Sequence, residues 1–237
     1  MNQTIARTTQ LYVLSLAVIA LFIFDIKLLI IAFVIGWILQ GISLETLIHR
    51  KYAHNQFSYK NKFWEYVCYL ILLSTSLGRP YEWSYGHRVH HRYTDDVKDP
   101  QSPHSIGHLK TFLSLFPSGV KGWDGIDQDL RSQPRLMFFN KYYYHFYIAY
   151  NLIWFAIDPI LAVYFIGIPS ILAWLSLGVI NTTAHLEKGN PKDISFPLWF
   201  WGGNYHGTHH KFPGATNLGP RDLSFYVIKV IGNETRK

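Results

Sequence analysis

The chain has 237 residues, of which 49% are hydrophobic, 17% aromatic and 16% charged. That length allows one domain or at most two, and apolar residues gathered in long uninterrupted runs, instead of along faces, exclude an ordinary soluble globule. The net charge of +7 would suit a nucleic-acid surface only if the Lys and Arg clustered on a soluble fold, and they are placed otherwise.

Residues 11–24 form a first apolar run, Asp25-Ile26-Lys27 a short polar break, and residues 28–44 a second run. A spanning helix needs roughly 17 to 25 residues. The first helix therefore begins before Leu11, and the two form a tight membrane hairpin over about residues 9–46. Only Arg7 charges the segment ahead of the first run and no small-residue cleavage site follows, so the run reads as retained. The second helix leads into His49 and His54. Five apart, these two share no face of an ideal α-helix, and a frayed end or a bulge is needed to bring them together.

Residues 63–77 are apolar and invite a third crossing. They are short, carry Glu65, and as a crossing would strand His49 and His54 on the side opposite the later histidines. The expectation is an interfacial helix that returns to the same side. The single cysteine, Cys68, lies here as a small core residue; it excludes an intramolecular disulfide framework and a Cys-type zinc site and is compatible with a reducing compartment.

Tyr81-Glu82-Trp83-Ser84-Tyr85-Gly86-His87-Arg88-Val89-His90-His91 follows. On a helix, His87, His90 and His91 stand at i, i+3 and i+4, so three imidazoles crowd one face within a turn. A lone histidine is ordinarily a satisfied core or surface residue, but this triplet recurs at His206-Gly207-Thr208-His209-His210. With His49, His54 and Asn181-Thr182-Thr183-Ala184-His185, nine of the 12 histidines fall in four places. Asp95, Asp96 and Asp99 come directly after the central triplet, either as a solvated acidic turn or as acceptors that orient the imidazoles. Residues 92–141, with Pro100, Pro103, Pro117 and Pro134, read as loop and short interfacial helix; His104 and His108 read as ordinary loop residues and His145 as interfacial.

Residues 146–165 and 169–184 make a second hairpin, turned by Ile166-Gly167-Ile168-Pro169, with Asp158 towards its far end. The chain then leaves the membrane and ends in a short helix over about residues 223–231. Of the 22 Lys and Arg, only Lys27 falls in a hairpin turn, so the positive-inside rule puts both termini and all four histidine sets on the cytoplasmic side. The positive balance then faces the anionic leaflet and no nucleic acid. The expected fold is an all-α, multi-pass integral membrane protein with four transmembrane helices in two hairpins, about 9–46 and 145–184. Interfacial helices and a cytoplasmic histidine-rich cap, about 47–144 and 185–237, complete a single domain spanning 1–237.

Nine imidazoles are too many for one ion, since zinc takes four ligands and octahedral iron six, so two ions are implied. Cys ligands are missing, and so are the Glu-x-x-His motifs with which soluble di-iron bundles build their sites; carboxylates near the histidines in sequence are few. A histidine-rich di-iron site at the membrane surface, open to oxygen and set at the mouth of an apolar space that suits a lipid tail, fits best. No other catalytic group is singled out.

In these motifs the sequence resembles the membrane fatty acid desaturases, and the likeness covers most of the chain. His49-x4-His54, His87-Arg88-Val89-His90-His91, Asn181-x3-His185 and His206-Gly207-Thr208-His209-His210-Lys211-Phe212-Pro213 look like the family's four signatures in order. Tyr81-Glu82-Trp83 and Tyr93-Thr94-Asp95 through Asp99-Pro100 are similar to the delta-9, stearoyl desaturase-like type. The resemblance implies one iron held by His49, His54, His87, His91 and His209, and a second held by His90, His185, His206 and His210 plus a water fixed by Asn181. It implies oxygen, two electrons from a separate donor protein of ferredoxin or cytochrome type, and a fatty acyl substrate that gains a cis double bond. Acyl-CoA members carry an Asn-Asp pair where this chain has Gly78-Arg79, and family members place a tryptophan where it has Gly178, which leaves lipid-bound, CoA-bound and other carriers open. Hydroxylation on the same scaffold is the alternative outcome. A zinc-moving protein is a third reading, opposed by histidines that lie beyond the helix ends instead of within the bilayer.

Overall fold

The computed structural model of the protein describes residues 3–117, 125–196 and 198–235 and is mostly helical. Residues 118–124 of the expected cap, with the chain ends, lie outside the described residues. The first hairpin pairs α1 (Gln3–Phe22) with α2 (Ile26–Gln40). Asp25 starts α2 because its carboxylate accepts from the Lys27 and Leu28 amides at 2.8 and 3.1 Å, taking up donors that a helix N-terminus leaves unpaired. Tyr164 pins this turn from outside, its hydroxyl accepting from the Asp25 amide at 2.8 Å and facing the Ala20 and Ile23 carbonyls at 3.1 and 3.2 Å.

Beyond Gln40 the helix widens into a π-helical stretch, Gly41–Ala53, followed by the short strand β1 (Phe57–Tyr59). Next comes α3 (Lys62–Leu73), 12 residues long, or about 18 Å, too short to cross a bilayer. Its Phe63, Tyr66 and Leu70 are exposed while Cys68, Tyr69, Leu72 and Leu73 are buried, the two-faced pattern of a helix lying along a surface. After α4 (Pro80–Arg92) come the short helices α5 (Pro103–Ile106), α6 (His108–Phe112) and α7 (Gln128–Arg131). The long pair α8 (Pro134–Ile157) and α9 (Pro159–Thr183) follows, and then α10 (His206–Lys211), α11 (Leu223–Ile231) and the strand β2 (Gly232–Glu234).

Two expectations are corrected here. The second hairpin turns at Asp158-Pro159 and not at residues 166–169, through which α9 runs with Pro169 inside it. A residue before proline is pushed out of the α region, and Asp158 is indeed extended, with φ −164° and ψ 121°. Its carboxylate then caps the new helix at the Ile160 and Leu161 amides, 2.7 and 3.1 Å away, with Pro159 at the first turn where no donor is lost. The fold is also not purely helical: β1 and β2 pair antiparallel, Phe57 opposite Glu234 and Tyr59 opposite Gly232. Strands of three residues are too short to show a period in sequence.

Among the described residues, three helices are long and apolar enough to cross a membrane, Thr4–Phe22, Ile26–Ala53 and Pro159–Thr183. α8 has the length, 24 residues, but carries Asn140, Lys141, His145, Asn151 and several tyrosines. α9 packs against α1, α2 and α8, with Leu16, Ala20, Ala32, Ala162 and Ile166 buried between them. The outward sides of α1 and α2 expose Leu11, Leu14, Leu21, Ile30, Ile31 and Phe33, side chains suited to hydrocarbon and not to water. A second core, including Leu47, Ile48, Leu72, Leu136, Tyr143 and Ile228, ties the π-helical stretch to α3, α8 and α11. The histidines lie at the end of the molecule where α2 and α9 both run out.

Candidate metal centre

Each histidine set is delivered by a different local device. The π-helical stretch bonds each amide to the fifth residue before it, as in His54 N to His49 O at 3.1 Å, so residues five apart are stacked. This is the bulge that the spacing of His49 and His54 required. α4 and α10 present their triplets from a single turn each, and His185 follows the C-terminus of α9. The Trp83 ring lies flat on His87, centroids 5.0 Å apart, and fixes the plane of that imidazole.

The nine imidazoles converge as two groups, His49, His54, His87, His91 and His209 in one and His90, His185, His206 and His210 in the other; within each, the donor atoms lie within 4.8 Å of one another. In the first, His209 Nε2 stands 2.9 Å from His49 Nε2, 3.0 Å from His54 Nε2 and 3.1 Å from His91 Nε2, and His91 Nε2 stands 3.0 Å from His87 Nε2. In the second, His206 Nε2 is 2.9 Å from His185 Nε2 and 3.1 Å from His210 Nε2, which is 3.2 Å from His90 Nε2.

The opposite ring nitrogens decide what these close approaches are. His49 Nδ1 faces Glu45 Oε1 at 3.0 Å, His87 Nδ1 faces Gln101 Oε1 at 3.1 Å, and His90 Nδ1 faces Asp99 Oδ2 at 2.7 Å. His185 Nδ1 faces both Asp95 oxygens at 3.1 Å. Each acceptor draws the ring proton to Nδ1 and leaves Nε2 with a lone pair. A neutral ring nitrogen carries at most one hydrogen, yet His209 Nε2 faces three other Nε2 atoms at 2.9–3.1 Å, more than hydrogen bonding can serve, whereas nitrogen ligands about 2.1 Å from a common ion stand about 3 Å apart at right angles. The donor set therefore fits a metal pair and fits hydrogen bonding poorly.

Electrostatics agrees. Burial first, and neighbouring imidazoles second, push His54, His87, His91, His206, His209 and His210 below the ordinary imidazole range, which keeps the rings neutral. Burial also lowers His185, with Asp95 opposing. Burial would raise Asp95, but hydrogen bonds from His185, Ser102 and the Gly189 amide hold it below the usual carboxylate range. Neutral imidazoles backed by ionised carboxylates are the form in which such ligands bind metal.

Asn181 is buried, and its Nδ2 has no hydrogen-bond partner, an orphan polar group beside the four-imidazole set in sequence. Of the three aspartates that follow the central triplet, Asp95 and Asp99 are buried acceptors, whereas Asp96 is exposed and accepts from the Lys98 amide. The expectation of few nearby carboxylates is corrected: Glu45 lies under His49 and shares Oε1 with Arg50 Nε at 3.1 Å. Arg50 Nη1 in turn reaches Asp222 Oδ2 and Thr216 O, each at 2.8 Å, all within the interior. Glu45 sits four residues before His49, a helical spacing that could have flagged it; Asp222 gives no such signal. His104, read as an ordinary loop residue, holds the His185 carbonyl through Nε2 at 2.8 Å. His108 and His145 are exposed and outside both groups.

Residues 26–217 match the family model for fatty acid desaturases. The chain belongs to that family. It is 26% identical to the Delta-9 acyl-lipid desaturase 1 of Arabidopsis thaliana, over 94% of this chain and 78% of the relative. The sn-2 palmitoyl-lipid 9-desaturase of Nostoc sp. (strain 36) is 24% identical over 92% of this chain and 82% of its own length. An acyl-CoA Delta12-desaturase of Acheta domesticus is 27% identical over 80% of this chain and 61% of its own. The likeness is thus to the delta-9 type.

Proposed function

We propose that this protein is an oxygen-dependent fatty acyl desaturase that places a cis double bond in a saturated chain at a di-iron centre. The observation that carries the reading is the convergence of nine imidazoles as two groups, with His49, His87, His90 and His185 backed by acceptors at Nδ1. His49, His54, His87, His91 and His209 would hold one iron; His90, His185, His206 and His210 would hold the other, with a water bound by Asn181. The orphan Asn181 Nδ2 supports that last role.

When bound, the two irons supply the oxidising power by which O2, two electrons and two protons become two waters while an adjacent methylene pair loses two hydrogens. The chain's own contribution is positional. Glu45, Asp95, Asp99 and Gln101 fix the tautomer and tilt of four imidazoles, and burial keeps competing water from the donors. Electrons come from a separate donor protein of ferredoxin or cytochrome type. The acyl chain would reach the metals from the apolar side of the histidine cap, with small residues such as Gly36, Gly41 and Ala173 bearing on the depth available.

In the same reading α8 is the fourth crossing, so that two hairpins, α1 with α2 and α8 with α9, place both termini and the histidine cap in the cytoplasm as one domain. Lys27 at the first far turn and no Lys or Arg at Asp158-Pro159 support that orientation. Substrates attached to membrane lipid are favoured over acyl-CoA: two of the three relatives above are named for acyl-lipid substrates, and this chain carries Gly78-Arg79 and Gly178 at the two departures noted above.

Expression in a host whose lipids are saturated tests this directly. New monounsaturated chains should appear by mass spectrometry, and His90→Ala should abolish them while the protein stays in the membrane. Hydroxylated chains would move the reading to the alternative outcome, and purified protein holding zinc without iron would overturn it.

A further inference from the structure

His49 and His54 meet only because Gly41–Ala53 is wound with one residue more per bond than an α-helix. In an α-helix, five residues overshoot one turn by about 140°, so the two rings would part. π-Helical segments usually last a single turn, and a stretch of 13 residues needs something to hold its register. The place to look is its C-terminal end, where carbonyls lose their partners within the helix. His49 O and Arg50 O are taken by the amides of His54 and Gln56 at 3.1 and 3.0 Å. Tyr52 O and Ala53 O are taken by Arg88, through Nη2 at 2.8 Å and Nε at 2.7 Å. The rest of the guanidinium is engaged as fully: Nη1 donates to Ile126 O at 2.6 Å, and Nη1 and Nη2 fork onto Asp129 at 2.5 and 2.9 Å. All five N–H donors of an arginine are thereby used.

Arg88 stands in α4 between His87 and His90. The turn that presents the central triplet therefore also clamps the end of the stretch that presents the first pair. We propose that Arg88 is a positioning residue that fixes the π-helical register of Gly41–Ala53 and so seats His54 in the five-imidazole group, a duty on which the four-imidazole group does not depend. Its consequence for metal rests on the di-iron reading; its consequence for register does not. Lysine cannot replace it, because a single ammonium cannot span two carbonyls and a carboxylate with planar geometry.

The full-length chain in detergent, wild type beside Arg88→Ala and Arg88→Lys, is examined by amide hydrogen exchange and iron analysis. Both variants should raise exchange at His54 and Gln56 at least about tenfold and leave the interior of α9 unchanged. Bound iron should fall from about two to about one per chain; adding His54→Ala should then remove no more, whereas adding His185→Ala should remove the remainder. Unaltered exchange at those two amides, or equal loss of both irons, overturns the proposal. A wild-type chain that takes up no iron sinks the di-iron reading instead, and the exchange data still decide the role of Arg88. Should Arg88→Ala fail to fold, Arg88→Lys and Asp129→Asn carry the same comparison.

Discussion

An imidazole offers metal whichever nitrogen its neighbours leave without a proton, so the groups behind the ring matter as much as the ring. Asp95, Asp96 and Asp99 are one kind of residue within five positions, yet two of them sit behind His185 and His90 while the third faces water. Asp99→Asn should weaken metal binding at the four-imidazole group about ten- to a hundredfold, as loss of such a partner generally does, while Asp96→Asn should leave it unchanged. Competition with a chelator measures both. The histidines themselves were legible because their spacing repeats a helical face. Among their partners, Asp95 and Asp99 were read as candidate acceptors because they follow the central triplet; Glu45 was missed although its helical offset from His49 could have flagged it, and Asp222, which reaches the same cluster through Arg50 from far along the chain, gives no local signal.

At the scale of elements, the closest approaches are set by what a side chain would strike. A Cβ on Gly178 would fall 2.0 Å from the Phe112 carbonyl oxygen, so α6 rests on bare backbone of α9. That carbonyl is backbone and cannot swing aside. Gly178→Ala should therefore lower the melting temperature by the equivalent of about 1–3 kcal/mol, the usual cost of overpacking. Gly86→Ala, where a Cβ meets nothing within 4 Å, is the matched control and should show no loss. The position of the second turn shows how elements mislead: Gly167-Ile168-Pro169 and Asp158-Pro159 both signal a break, and the sequence reading chose the former. Asp158 won because it brings its own cap, whereas Pro169 sits within a helix packed on α1, α2, α6 and α8.

For the whole molecule, the decisive matter is which side each turn faces. In a Cys68→Ser background, cysteine at Lys27 or Ile157 should react with an impermeant thiol reagent on intact cells. Cysteine at Lys188 or Lys229 should react only after the membrane is opened. Protection of the Ile157 position on intact cells would remove α8 as a crossing and with it the two-hairpin arrangement.

By itself the sequence determined a helical chain with apolar runs of membrane-crossing length and four recurring histidine motifs, because apolar run length and helical offset are local properties that a chain carries in plain order. The five-and-four grouping came in advance only from the family resemblance, and the tertiary structure alone decided which ring each acceptor backs, the place of Glu45 and Asp222, and the clamp of Arg88 on a π-helical end. The reach of Asp222 and of Arg88 depends on residues tens to hundreds of positions apart being brought within 3 Å, and neither composition nor periodicity encodes such a meeting.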